Sequence, residues 1–389
     1  GVRPHGQGRR QAKASSATMV SAVVLLGKIN SPGFQKSKGL INVSSAASAA
    51  TVKPLFATDY ERELAALKTS LGGRAYDHMA DVASYTVDGE WIGDEADLLL
   101  WLKRKGCLTK DQEAQYMNNL NVVPWEKVAD ADLGAMMKKS GNKYVFLQVS
   151  IDGSVIGRLV FELFAKLAPK TCTNFEALCT GDMGKSKEGV ILSYKGCPIH
   201  RIKKGGWMQS GDIVAGDGSS GTPAIGGPVP DESFQTAHDV PGVLGMCNIG
   251  HHTAGSQFYV TLRAQASLDK SYVAFGRLVD GSKLLEFLGE MEVVADRPLA
   301  DLVISDCGAF AAGISAADED KAAAKLQAIQ RSRNARAEIQ QRQQAAAKVQ
   351  AAKRGQRQRA QKKKEDQAAA KMQAMQRGKR TRKNKAGGE

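Results

Sequence analysis

The sequence predicts three consecutive parts: an α/β domain, an all-β domain of antiparallel strands, and an extended helical tail. The chain of 389 residues is longer than one ordinary domain. Apolar residues make up 42% and charged residues 24%, close to the averages of globular proteins, so most of the chain can bury a core. From Gly313 onward Ala, Gln, Lys and Arg dominate and no Phe, Tyr, Trp or Pro occurs. This tail can be helical but cannot bury a core of its own.

The formal net charge of +14 belongs to the tail alone. Residues 313–389 hold 21 basic and 7 acidic residues, while the preceding 312 residues hold 33 of each. We therefore expect no basic partner surface across the folded part. No run of 18 consecutive apolar residues occurs, so neither a transmembrane helix nor a membrane partner is predicted.

The N-terminal segment leaves the cellular compartment open. Residues 1–18 are predicted to be a disordered basic tail; the apolar stretch Met19–Leu26 follows, and the first acidic residue is Asp59. An acid-poor, serine-rich start is typical of a transit or signal peptide, whereas a start at Met19 would remove the basic region. The six cysteines form no C-x-x-C pair, which fits reduced thiols in an intracellular protein and predicts no metal site. We expect a cytoplasmic protein, with organelle import as the alternative.

The first domain is predicted over residues 19–125. Its period-two and helical patterns alternate, and a turn pair marks a hairpin, as in a small α/β domain. The predicted elements are a strand at Ala22–Leu26, a helix at Tyr60–Leu71, a hairpin at Asp88-Gly89 and a helix at Asp97–Lys105.

The hairpin with its G-x-x-I-G pattern, inside Val87–Leu98, resembles the end of a glutaredoxin or thioredoxin-like domain. Where that family has its C-P-x-C motif, this chain has Ser31-Pro32-Gly33-Phe34. A thiolate is the nucleophile of thiol-disulfide exchange, so the resemblance implies a thioredoxin-like domain without redox chemistry. We expect it to be a docking module.

Strand patterns dominate after a predicted linker at residues 126–141. Period-two stretches occur at Tyr144–Ile151 and Gly157–Leu163, and glycine-rich loops separate the strands. An antiparallel barrel or sandwich is expected.

Five sequence blocks occur in order between Asn142 and Phe310. They are Phe161-Glu162-Leu163-Phe164 with Pro169-Lys170-Thr171 and Asn174-Phe175, His200-Arg201-Ile202, Gln209-Ser210-Gly211-Asp212, Gly255-Ser256-Gln257-Phe258, and Val273-Ala274-Phe275-Gly276. Together they resemble the cyclophilins. The resemblance implies a closed antiparallel barrel of eight strands with two helices over residues 142–310. It also implies peptidyl-prolyl cis-trans isomerase activity on protein substrates that contain X-Pro bonds.

The chemistry of that reaction needs no cofactor. Rotation about an amide meets a barrier of about 18–20 kcal/mol, and a catalyst must favour the twisted amide over both planar forms. A guanidinium that donates to the proline nitrogen does this. Arg201 matches the family's catalytic arginine and Gln209 its neighbouring glutamine. The family's substrate-binding positions are occupied here by Asn248 and Gln257 at the peptide backbone and by Tyr259, Leu268 and Tyr272 at the proline ring.

The predicted pocket departs from the common cyclophilin pattern. Gly206 and Trp207 replace Phe and Met, Tyr259 replaces a second Phe, and Ser267 stands where cyclosporin-sensitive members have Trp. The indole of Trp207 either replaces the lost Phe ring or fills the proline site. Isomerase activity is therefore expected to be reduced. The alternative is a catalytically weak scaffold, since this variant resembles a divergent "PPIase-like" group of motile cilia.

Two other motifs in this region are not expected to be sites. Gly216–Gly221 spells G-x-G-x-x-G, but Pro223 and later prolines and glycines prevent the helix that a dinucleotide site requires. His251-His252 has no partner at metal-ligand spacing.

The tail, residues 311–389, repeats with a period of 23. In each copy Ala-Ala-Ala-Lys precedes an apolar residue and Gln, and arginines follow the apolar residue at +5 and +10. The positions are Leu326, Gln327, Arg331 and Arg336; Val349, Gln350, Arg354 and Arg359; and Met372, Gln373, Arg377 and Arg382. The three copies resemble the IQ motif, which implies binding of calmodulin or related EF-hand light chains.

This spacing suits a helix that lays its apolar side in an acidic EF-hand groove. Adhesion to an acidic cytoskeletal filament or axonemal protein is compatible with it. The absence of aromatic residues argues against specific nucleic-acid recognition. Two functions follow from the sequence: an isomerase localised or regulated through calmodulin, or a structural adaptor in a ciliary or cytoskeletal assembly.

Overall fold

The computed structural model describes residues 22–310 and Met372. Its N-terminal part contains a four-stranded sheet and five helices. The strands are Val23–Lys28 (β1), Thr51–Leu55 (β2), Val82–Thr86 (β3) and Trp91–Gly93 (β4), and the helices are Pro32–Val43 (α1), Ala57–Leu71 (α2), Glu95–Arg104 (α3), Lys110–Val122 (α4) and Trp125–Ser140 (α5).

Strand β1 lies inside this sheet, parallel to β2 and antiparallel to β3, and β4 pairs with β3 at the edge. Its side chains alternate between two layers of helices, as the pleat of a strand requires. Val23 and Leu25 pack in a core with α1 and α3, whereas Leu26 packs with Tyr60 and Leu64 of α2. The result is a three-layer α/β arrangement, and the strand, helices and hairpin predicted for this part are confirmed.

The segment 126–141, predicted as a linker, is helix α5. Its buried residues Leu133 and Met137 are four positions apart and pack with Tyr144 of the next strand. On another side, Lys38 of α1 donates to Asp132 at 2.7 Å. Because this segment contains many charged residues and its apolar face is narrow, the sequence pattern does not indicate a packed helix.

The second part of the chain is dominated by one eight-stranded antiparallel sheet. Its elements in chain order are Lys143–Ile151 (β5), Ser154–Leu163 (β6), Pro169–Thr180 (α6), Arg201–Lys203 (β7), Trp207–Ser210 (β8), Val243–Met246 (β9), Phe258–Thr261 (β10), Ala274–Asp280 (β11), Ser282–Gly289 (α7), the short hairpin Val293–Val294 (β12) and Arg297–Pro298 (β13), and Leu302–Ala309 (β14).

The strand order is β14-β5-β6-β11-β9-β10-β8-β7, and the ladder does not close between β7 and β14. The predicted closed barrel is therefore wrong in this respect: the sheet is curled but open. Strand β7 lies at one edge of the sheet and forms its ladder with β8 alone. Instead the preceding segment 196–199 makes isolated hydrogen bonds to β14, such as Ile199 N–H to Leu302 O at 2.9 Å.

The two parts of the chain lie in one compact unit, and polar contacts join them beside a shared apolar cluster that includes Phe56 and Val279. Arg277 of β11 donates Nε–H to Glu162 of β6 at 2.6 Å and also forms an ion pair with Asp59 of α2. Asn30 Nδ2–H donates to Asp280. Because Glu162 is only 1% exposed, its charge depends on Arg277 for compensation.

No helix among residues 22–310 is long and apolar enough to cross a lipid bilayer. The predicted light-chain-binding positions from Leu326 to Arg382 lie outside the described residues, except Met372, which is helical and 66% exposed. Residues 1–18 also lie outside them.

Candidate active site

Three strands, β7, β8 and β10, place Arg201, Gln209 and Tyr259 in one row across the sheet. Arg201 lies opposite Gln209 in the β7–β8 pair, and Gln209 lies opposite Tyr259 in the β8–β10 pair. Tyr259 in turn lies opposite Gly245 of β9. Opposite residues of an antiparallel ladder project from the same face, so three chemically distinct side chains share one surface.

The intervening residues point into the interior of the curled sheet. Ile202, Met208 and Phe258 are buried, and the ring of Phe258 packs edge-on against Phe175 with the centroids 5.1 Å apart. Because successive residues of a strand face opposite sides, this apolar interior fixes Arg201, Gln209 and Tyr259 on the other face of the sheet.

The guanidinium of Arg201 is held between an acid and an aromatic ring. Its Nε–H and Nη2–H donate to Oδ2 of Asp296 at 3.2 and 2.9 Å. Its Cζ lies 5.8 Å from the ring centre of Trp207. The backbone carbonyl of Asp296 also accepts from Ile202 N–H at 2.7 Å, so the β12–β13 turn is fastened to the edge strand β7.

Trp207 does not lie in the row of Tyr259. It lies in the next row, opposite Lys203 of β7 and Thr261 of β10, and the ammonium of Lys203 is 4.5 Å from its ring centre. Its indole is therefore a platform for Lys203 and Arg201, and neither of the two roles expected from the sequence describes this placement.

Gln257 connects the row to the glycine-rich loop. Its Oε1 accepts from Nε2–H of Gln209 at 2.8 Å, and its own Nε2–H donates to the carbonyls of Gly218 and Ser220 at 3.0 and 2.6 Å. The two amides are thus oriented as a pair, and the loop carbonyls determine which end of Gln257 faces Gln209.

Asp212 organises that loop. It is 1% exposed and accepts hydrogen bonds from five backbone N–H groups of residues 214–220 and from the hydroxyl of Ser220. Burial alone would raise the pKa of Asp212, but the hydrogen bonds from Ser220 and the loop amides outweigh it and hold the pKa well below its usual range. The G-x-G-x-x-G segment is therefore a loop folded around a carboxylate, and no helix follows it up to β9.

His200, beside Arg201 in the chain, is packed beneath the same loop. Its ring is buried, and a Cβ on Gly218 would lie only 2.8 Å from the imidazole, so residue 218 must be small. Gly218 also has a φ of +92°, which favours glycine. Burial lowers the pKa of His200, so its ring is neutral at physiological pH.

Tyr259, Tyr272 and Leu268 form the apolar side of the site. The rings of Tyr259 and Tyr272 meet edge to face at 5.9 Å, and Tyr272 N–H donates to Leu268 O at 3.1 Å. Asn248 Nδ2–H donates to the carbonyl of Ser271 at 3.1 Å. A side chain at Gly245 would overlap the Tyr259 ring, so glycine is required beneath it. All eight predicted site residues therefore lie on connected elements, with Tyr259 and Leu268 buried.

Three polar residues that contact the site are not predicted from the sequence: Asp296, His238 and Asp269. The imidazole of His238 is completely buried, with Nδ1 2.7 Å from Asp269 Oδ1 and Nε2 2.6 Å from the hydroxyl of Tyr259. Burial raises the pKa of Tyr259 well above its usual value. No local motif could have identified these residues, because Asp296 is 95 positions from Arg201 and Asp269 is 31 from His238.

Comparisons with known proteins agree with this geometry. Residues 146–309 match the model of the family described as "Cyclophilin type peptidyl-prolyl cis-trans isomerase/CLD". The chain is 34% identical over 316 residues to "Probable inactive peptidyl-prolyl cis-trans isomerase-like 6" of Homo sapiens, covering 79% of this chain and 98% of that protein. It is 35% identical over 289 residues to the Mus musculus protein of that name, covering 73% and 90%. It is 45% identical over 170 residues to "Peptidyl-prolyl cis-trans isomerase cyp11" of Rhizopus delemar, covering 43% and 50%.

Proposed function

The chain belongs to the cyclophilin-type peptidyl-prolyl cis-trans isomerase family, and on that premise we propose that it catalyses the cis-trans isomerisation of X-Pro bonds in protein substrates. The single observation that carries this proposal is the cross-strand row, which presents a guanidinium, an amide and an aromatic ring side by side. We expect the rate to be lower than that of a typical cyclophilin.

Arg201 is the proposed hydrogen-bond donor. When the amide twists, the proline nitrogen regains a lone pair that a planar amide lacks, and an N–H of the guanidinium donates to it. This interaction forms only in the twisted state, so it lowers the barrier instead of tightening binding of either planar form. The reaction breaks no bond and moves no proton between substrate and enzyme.

The remaining residues hold the substrate. The proline ring packs against Tyr259, Tyr272 and Leu268. The side-chain amides of Gln209 and Asn248 donate to the peptide backbone, and Oε1 of Gln257 accepts from it. The chain of hydrogen bonds from the glycine-rich loop through Gln257 to Gln209 supports this assignment, because it leaves the amides of Gln209 and Gln257 oriented before substrate arrives.

The names of the relatives differ on whether these proteins are active. The fungal relative is called a peptidyl-prolyl cis-trans isomerase, whereas the human, bovine and mouse relatives are called probable inactive. The reduced activity that we propose has two local causes in this chain: Gly206 offers no ring to the proline, and Asp296 competes for the N–H groups of Arg201.

The test is a steady-state isomerisation assay of a succinyl-Ala-Ala-Pro-Phe peptide with the full chain. Arg201→Ala should lower kcat by about 100-fold with little change in KM, as expected for loss of one transition-state donor. Tyr259→Ala should mainly raise KM. Arg74→Ala is the matched control, because Arg74 is 77% exposed in the N-terminal part. Wild-type rates at the uncatalysed level would contradict the proposal.

A second candidate is a binding adaptor that recognises prolyl peptides without catalysis. The ion pair between Arg201 and Asp296 favours it, since it engages two of the guanidinium's N–H groups in the absence of substrate. In that case peptides bind, Arg201→Ala changes affinity, and no variant accelerates isomerisation.

The N-terminal part is proposed to be a thioredoxin-like docking domain. The sheet order β2-β1-β3-β4 supports the assignment, and Ser31 with Pro32 lies at the start of α1, directly after β1. Because the residues at the start of α1 carry no thiol, this domain is proposed to have no thiol-disulfide exchange activity. An insulin-reduction assay of the full chain should give no turnover above buffer.

The tail is proposed to bind calmodulin or EF-hand light chains through its three IQ motifs, in the cytoplasm or in an axoneme. Pull-down of the full chain with calmodulin, with and without calcium, tests it. The triple variant Arg331→Ala/Arg354→Ala/Arg377→Ala should lose binding, whereas Lys362→Ala/Lys363→Ala/Lys364→Ala should retain it. Absence of binding in both calcium states would contradict the assignment.

A further inference from the structure

Helix α2 of the N-terminal part contacts segment 239–242 of the second part, directly after His238. The guanidinium of Arg62 donates Nε–H to Oδ2 and Nη2–H to Oδ1 of Asp239, at 2.7 and 2.8 Å. This paired geometry is the most specific form of an arginine–carboxylate contact. The hydrogen bond from Arg62 lowers the pKa of Asp239, so the carboxylate stays charged at neutral pH.

A second contact anchors the same segment three residues later. At Gly242 an added Cβ would lie 2.9 Å from Cγ2 of Thr58 and 2.9 Å from the side chain of Leu278, and φ is +87°. Thr58 Oγ1–H also donates to Leu278 O at 3.3 Å. Residues 239–242 are thus held between α2 and β11 at a separation that only glycine permits.

The residue before Asp239 is His238, which touches two walls of the proline site. Its imidazole lies between Asp269, which follows Leu268, and the hydroxyl of Tyr259. Its backbone is bound as well, because its N–H donates to Asp269 at 2.9 Å and its carbonyl accepts from Gln265 N–H at 2.6 Å. One residue therefore connects the strand that bears Tyr259 to the turn that bears Leu268.

The chemistry of the groups around His238 determines which atom donates and which accepts in each hydrogen bond. A carboxylate only accepts, so Nδ1–H of His238 donates to Asp269, and in the neutral ring Nε2 accepts from Tyr259 O–H. The hydrogen bond from His238 also lowers the pKa of Asp269. The chain from Asp269 through His238 to Tyr259 holds the phenol ring in one orientation.

We propose that Arg62 and Asp239 are positioning residues for the proline site: the N-terminal part holds segment 239–242 and, through His238, sets the placement of Tyr259 and Leu268. The N-terminal part thereby tunes prolyl-peptide affinity although it contributes no side chain to the site. This inference rests on the proposed function only in so far as its test measures affinity for a prolyl peptide.

The test uses the full chain with the variants Asp239→Ala, Arg62→Ala and the double variant. Affinity for the succinyl-Ala-Ala-Pro-Phe peptide is measured by NMR titration, and the imidazole ¹⁵N shifts of His238 report its hydrogen bonds independently of ligand. Each single variant should weaken affinity about three- to fivefold, and the double variant no further, because both remove one contact. Arg74→Ala should leave affinity and the His238 shifts unchanged.

Affinity and the His238 shifts together support or overturn the positioning role of Arg62 and Asp239. Unchanged affinity with unchanged His238 shifts in Asp239→Ala would overturn the inference, even if isomerase activity is present. If the wild type binds no prolyl peptide, the proposed function fails separately and the His238 shifts decide alone: displacement in both single variants supports positioning, and no displacement overturns it. Asp239→Asn, which retains the side-chain size, serves if Asp239→Ala does not fold.

Discussion

The carboxylate of Asp296 accepts two hydrogen bonds from Arg201, at 3.2 Å from Nε and 2.9 Å from Nη2. Both residues are partly exposed, with 43% of the Arg201 side chain and 37% of the Asp296 side chain accessible. An ion pair exposed to this degree is worth at most about 1 kcal/mol. It therefore weakens access of a substrate to the guanidinium without preventing it.

Asp296→Asn should raise kcat/KM for X-Pro isomerisation by up to about fivefold, because a neutral amide competes less well for the N–H groups of Arg201. The backbone carbonyl of residue 296 still accepts from Ile202, so the turn stays in place. Asp306→Asn, which removes a pair with Lys195, is the control and should leave kcat/KM unchanged. A lower rate in Asp296→Asn would show that the pair orients the guanidinium productively.

Asp212→Asn should destabilise the glycine-rich loop and lower substrate affinity together. The carboxylate accepts six hydrogen bonds, and an amide can replace only those made to one oxygen. A loss of about 3 kcal/mol in the free energy of unfolding is expected. Urea denaturation measures it, with the exposed Asp217→Asn for comparison; equal stability of the two variants would contradict the role of Asp212.

Stability should fall as the pH drops from 7.5 to 5.5. Burial lowers the pKa of His200 and of His78 in the folded chain, so the unfolded chain binds protons at a higher pH than the folded chain does. The stability these groups contribute is present above the unfolded value of about 6.5 and is lost below it. Urea midpoints at the two pH values measure the slope. His200→Gln should reduce the change in urea midpoint between the two pH values, whereas His252→Gln, at an exposed site, should leave that change as it is.

Arg277→Met should destabilise the chain by about 3–5 kcal/mol, because Glu162 is then buried without a cation. Thermal unfolding should remain a single transition, because the apolar cluster of Phe56, Tyr144 and Val279 still joins the two parts of the chain. The double variant Glu162→Gln/Arg277→Met should recover part of the loss. Lys143→Met, which removes an exposed pair with Glu176, should cost less than about 1 kcal/mol.

The sequence predicted what local patterns encode. Period-two alternation located β5 and β6, and the motif around Arg201 and Gln209 identified two residues that the β7–β8 register then places opposite each other. Contacts between distant segments have no such local pattern and could not be predicted. Asp296 and His238 have no neighbours in sequence that reveal their partners, and α5 was misjudged because its apolar face is narrow.

Catalysis by Arg201 can be measured by NMR exchange spectroscopy of a prolyl peptide with a catalytic amount of the full chain. The wild type should produce cis–trans exchange cross-peaks within seconds, faster than the tens of seconds of the uncatalysed reaction, and Arg201→Ala should abolish them while the peptide still binds. Exchange at the uncatalysed rate with the wild type, or equal exchange with both proteins, would contradict the account.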